Sequence, residues 1–95
     1  MISKEWVDIC ESVVWILEKR FYIPKEKLKD ESWDTAFTSN YFGLEGIDLV
    51  YLLFELEKKY HIRIEERYLD NYQFNSIRSV TNILYEIICE EGRQA

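Results

Sequence analysis

Apolar residues recur at spacings of three and four along three stretches of this chain, and that period predicts helices. The first stripe runs through Trp6, Ile9, Cys10, Val13, Ile16, Leu17 and Phe21, while Glu11, Glu18 and Lys19 mostly fall off it. Ser3 suits the start of this helix, Glu5 its positive end, and Lys19 and Arg20 its negative end, with Pro24 marking the exit. A second helix is predicted over 48–60 from Leu49, Leu52, Leu53, Leu56 and Tyr60, with Asp48 in its first turn and Lys58 and Lys59 in its last. The last stripe, Ile77, Val80, Ile83, Leu84, Ile87 and Ile88, follows two capping candidates, Asn75 and Ser76, and is expected to fray at Glu90, Glu91 and Gly92.

The connections are less regular. Over 24–43 the apolar residues Leu28, Trp33, Ala36, Phe37, Tyr41 and Phe42 follow no period, but they supply enough apolar surface to pin a long loop onto a core. After the second helix, His61 to Ile64 alternate briefly, and a short third helix is predicted over 65–69, before Asn71. Amphipathic segments of this kind satisfy one another as a bundle, so the expectation is a single all-α domain over 1–95. Only three glycines and one proline punctuate the chain, which disfavours a many-stranded alternative.

Composition narrows the functional classes. Eighteen acidic against twelve basic residues give a net charge of −6, so phosphate-backbone attraction is no source of affinity and nucleic acid is not an expected partner. No apolar run approaches the roughly 20 residues of a membrane span, and 1–4 lead into no signal-peptide core, so a cytoplasmic protein without a membrane role is expected. Cys10 and Cys89 lack metal-ligand or redox spacing. Buried free thiols are the preferred expectation, with a disulfide left open.

The run Phe42-Gly43-Leu44-Glu45-Gly46-Ile47-Asp48-Leu49-Val50, continued by Leu52-Leu53-Phe54-Glu55-Leu56-Glu57-Lys58-Lys59-Tyr60-His61-Ile62-Arg63-Ile64, resembles the centre of acyl carrier proteins. Members of that family read Leu-Gly-x-Asp-Ser-Leu-Asp, followed by an apolar helix ending near Glu-x-x-Phe-Gly-Ile-x-Ile. The match runs without a gap, extends to Phe74-Asn75-Ser76-Ile77 and back through 13–28, and leaves the loop at 33–40 a few residues longer than usual. It implies a four-helix bundle of three longer helices and one short one, with the long loop between helices one and two.

The resemblance also locates a defect. The family's serine, which carries phosphopantetheine, falls on Gly46, its preceding aspartate on Glu45, and its following leucine and aspartate on Ile47 and Asp48. Glycine has no hydroxyl to form the phosphodiester, so phosphopantetheine is not expected and carrier chemistry does not transfer with the fold. The size and degenerate motif are similar to stand-alone acyl carrier-related proteins of peptide maturation systems. That likeness implies a non-catalytic accessory protein, in peptide maturation or natural-product biosynthesis, binding a biosynthetic or peptide-modifying enzyme; its oligomeric state is left open, with a monomer as the default expectation. The alternative is an acyl or peptidyl carrier loaded at a non-standard residue, with Ser39 as the candidate hydroxyl on the preceding loop and Cys10 and Cys89 as remote thiols.

The expected partner-binding residues are Glu45, Ile47, Asp48, Val50, Tyr51, Phe54 and Glu55. Ile47, Val50, Tyr51 and Phe54 flank the core stripe of the second helix, and either form an apolar contact patch or pack beneath the long loop. No catalytic or metal-ligating residue is expected. Glu45 and Asp48 are explained by the helix dipole, His61 by a helix end, and Glu65, Glu66 and Asp70 by a solvated face rather than a cation site.

Overall fold

The computed structural model describes residues 4–69 and 73–94, without the side chains of 90–94. Among these residues the chain is all-helical, with three α-helices: α1 (Lys4–Arg20), α2 (Gly46–Tyr60) and α3 (Ile77–Gln94). Single turns of 3₁₀ helix occupy Lys25–Lys27, Asp30–Ser32 and Glu66–Tyr68. No described helix is long and apolar enough to cross a membrane.

Each α-helix turns its predicted stripe inward. Val13 and Leu17 of α1, Leu52 and Leu56 of α2, and Ile77, Val80 and Leu84 of α3 are fully buried in one core. Each such aliphatic side chain contributes about 1.5–3 kcal/mol of burial free energy. α1 packs chiefly on α3 and also meets α2. The one fully buried hydroxyl among the described residues, Thr81, is satisfied locally by donating to the Ile77 carbonyl at 2.7 Å.

The long connection is tied down by both its aromatics and its backbone. Phe37 is fully buried and packs edge-on against Phe42 at 5.6 Å. The Phe37 N–H donates to the Asn75 carbonyl at 3.0 Å, Leu44 N–H returns to the Phe37 carbonyl at 3.0 Å, and Arg78 N–H donates to the Trp33 carbonyl at 2.9 Å. The loop is thereby fastened to the entry of α3.

The element boundaries differ from the sequence expectations in two places. α2 starts at Gly46, because the Glu45 N–H donates to Asp48 Oδ2 at 2.9 Å and closes the helix end two residues before the first predicted turn. The expected short third helix is one 3₁₀ turn, Glu66–Tyr68; Glu65 before it is extended, and so short a run forms too few internal hydrogen bonds to propagate. α3 runs through Glu90, Glu91 and Gly92, the expected fraying segment, as far as Gln94. Ser76 caps α3 as expected, its Oγ accepting the Ser79 N–H at 3.1 Å. Asn75, the other capping candidate there, accepts no hydrogen bond through its Oδ1 among the described residues, and Ser3, expected to cap α1, lies outside the described residues, as does Asp70 of the acidic group.

Two helices end in left-handed residues that are not glycine: Tyr22 (φ 57°) after α1 and His61 (φ 54°) after α2. His61 and Ile62 N–H groups both reach the Glu57 carbonyl, closing α2 in a tight reverse turn. His61 is exposed, in keeping with a helix-ending residue.

Candidate docking face on the second helix

α2 is apolar on two sides. Its inner side carries Leu49, Leu52, Leu53 and Leu56, and its outer side carries Ile47, Val50, Tyr51 and Phe54 at positions i, i+3, i+4 and i+7. The outer four are 55%, 41%, 57% and 57% exposed. Of the two expectations for these residues, packing beneath the long loop is not what the fold shows: the loop is bound to α3 and leaves them exposed. An isolated exposed leucine needs no explanation, but four large apolar residues on one helical face do.

The charged members of the expected site border this stripe. Glu45 is exposed, Asp48 is half-buried and committed to the helix cap, and Glu55 pairs with Arg20 of α1 at 3.7 Å. Glu57, which was not singled out from sequence, accepts the Ile64 N–H at 2.8 Å and so holds the chain leaving α2. Between Leu44 and Glu57 the chain has four carboxylates and no basic residue.

Gly46 is the first residue of α2 and not its cap, which is Glu45. Its backbone is not left-handed, and a Cβ built on it meets nothing within 4 Å. Neither conformation nor packing therefore calls for glycine here. The contrast is Gly43, whose φ of +67° does favour glycine. Ser39, the serine on the preceding loop named as an alternative attachment point, donates to the Ala36 carbonyl at 2.6 Å within its own turn.

Beside Gly46 lies a cavity of about 280 Å³, walled mainly by Leu49, Val50, Leu53, Leu69 and Phe74, with Thr38 and Asn75 at its polar edge. The Asn75 amide nitrogen donates to Thr38 Oγ1 at 3.2 Å, while its Oδ1 is buried with no hydrogen-bond partner among the described residues. This hollow was not legible in the sequence, because its walls come from α2 and from the irregular segment before α3. Val50 belongs to both the cavity and the exposed stripe, so the two form one continuous apolar surface.

Cys10 is buried, Cys89 is half-buried, and both are free thiols. Burial pushes the Cys10 thiol pKa up, against a smaller opposing pull from its hydrogen bond with Thr81. No group of three or more His, Cys, Asp or Glu side chains among the described residues is placed to hold a metal ion. Comparison of the chain with family models, curated proteins and solved structures finds no match.

Proposed function

We propose that this chain is a non-catalytic docking protein on an acyl carrier protein-like four-helix plan, lacking phosphopantetheine, and that a protein partner engages the outer face of α2. The observation that carries this function is the exposed stripe Ile47, Val50, Tyr51 and Phe54, which continues into the cavity beside Gly46. Apolar and aromatic groups on one helical face, bordered by carboxylates, form the core-and-rim pattern of a protein interface. The resemblance of the 42–64 run to carriers supports the four-helix plan and an accessory role in peptide maturation or natural-product biosynthesis. The two free thiols agree with a cytoplasmic setting.

Loading and docking are tested separately. The native chain and a Gly46→Ser variant are incubated with coenzyme A and a broad-specificity phosphopantetheinyl transferase, then weighed intact. The expected result is an unmodified native chain; a native chain that gains phosphopantetheine overturns the cargo-free function and favours loading at Ser39 or a thiol. For docking, a photo-crosslinking residue is placed at Phe54 or, as control, at Glu86 on α3, in the source cells. A discrete adduct formed from position 54 alone is expected, and equal adducts from both positions would refute the α2 face.

A further inference from the structure

A second surface, on α1, is built differently. Trp15 lies off the buried stripe of that helix and is 52% exposed, a large aromatic surface left in water. Asp8, Glu11, Trp15 and Glu18 follow one another at spacings of three, four and three, so they form a single line along the outer side of α1. The line spans about 15 Å at the helical rise per residue. Trp15 stands as a ridge between two hollows, one of about 440 Å³ toward Trp33 and Asp30, the other of about 320 Å³ toward Asp8 and Lys59. Glu11 borders both hollows.

The charges along this line are only partly answered within the chain. Glu18 is 3.7 Å from both Lys19 and Lys25, loose pairs at the surface. Asp8 and Glu11 form no salt bridge among the described residues. Lys59 reaches the edge of the smaller hollow without coming within salt-bridge distance of either.

The same chain shows what such a combination holds. At the foot of α3 the Arg78 guanidinium lies over the Trp33 ring at 5.4 Å while its Nε donates to Asp34 Oδ1 at 2.8 Å. There, indole and carboxylate take one arginine together. Around Trp15 an indole and carboxylates again stand side by side, open to an arginine from outside the chain. A guanidinium suits them better than an ammonium because it stacks flat on the ring while its N–H fork meets a carboxylate.

We propose that the Asp8–Glu11–Trp15–Glu18 line of α1 binds an arginine-rich segment of a partner protein, with one guanidinium over Trp15 and its neighbours paired to Glu11 and Glu18. This surface is independent of the α2 stripe, and either stands if the other fails.

The test is fluorescence anisotropy with a labelled decapeptide of alternating arginine and leucine, beside its lysine and glutamate counterparts, at moderate salt. The arginine peptide is expected to bind tightest and the glutamate peptide not at all. Trp15→Ala, whose helicity is checked by circular dichroism, should weaken binding about tenfold, and Glu11→Gln with Glu18→Gln by a similar factor. The pair Glu66→Gln and Glu86→Gln removes the same charge elsewhere and should leave affinity within about twofold. Undiminished binding by Trp15→Ala, equal weakening by the distant pair, or no binding of the arginine peptide would each overturn the proposal.

Discussion

The indole Nε1–H of Trp6 donates to Asn82 Oδ1 at 2.6 Å, joining α1 to α3 across residues 76 positions apart. Trp6 is buried and its ring also lies 5.4 Å from Trp33, so this one side chain binds α1, α3 and the long loop together. Asn82→Ala removes the acceptor while leaving the indole in place. The expected cost is about 1 kcal/mol, read as a lower urea midpoint with an unchanged slope.

The two sides of α2 separate stability from binding. Leu52→Ala, at a site with no exposure, is expected to cost about 2–5 kcal/mol. Phe54→Ala, at a site 57% exposed, should stay within about 0.5 kcal/mol of the native chain. Thermal or urea unfolding of both variants checks this, and a large loss from Phe54→Ala would mean that the outer stripe is covered in solution.

At the C-terminal end of α2, His61 holds a left-handed conformation that strains any residue with a Cβ. His61→Gly relieves that strain but adds freedom to the unfolded chain, and the net expectation is a gain of up to about 1 kcal/mol. Its mirror is Gly43→Ala, which imposes a Cβ on a φ of +67° and should lose about 1 kcal/mol or slightly more. The pair is read by differential scanning calorimetry as opposite shifts in Tm.

The buried thiol sets a pH dependence. Because the folded pKa of Cys10 lies above its unfolded value, the native state keeps its proton after the unfolded chain has lost it. The stabilising contribution is therefore complete below the unfolded pKa of about 8.5 and is lost as pH rises toward the folded value. Native chain and Cys10→Ala should accordingly differ in how steeply their urea midpoints fall above that pH, the native one falling more. Iodoacetamide at neutral pH should likewise alkylate Cys10 only after denaturation.

The helices were legible in the sequence because their apolar period is strong and their termini carry matching residues. Val13, Leu17, Leu52, Leu56, Val80 and Leu84, all on predicted stripes, are all fully buried. The Glu66–Tyr68 turn falls short of the predicted third helix because the segment is too short to propagate one. On α2 the outer stripe was visible as spacing, whereas its exposure depended on where the loop settles, and the backbone bonds of Phe37 and Arg78 that decide this join residues far apart in the chain. Trp15 lies off the predicted stripe, between Glu11 and Glu18, and that position is the signal in the sequence for its exposure.

The open space around Gly46 has an evolutionary consequence. A Cβ there neither clashes nor strains the backbone, so the folded backbone accepts either glycine or serine at this position. Some codons for the two differ by a single base, and a lineage can pass between them in either direction without unfolding its protein. Whether residue 46 stays glycine across generations is thus governed by what the molecule does in the cell, and its drift or constancy among descendants would record that use.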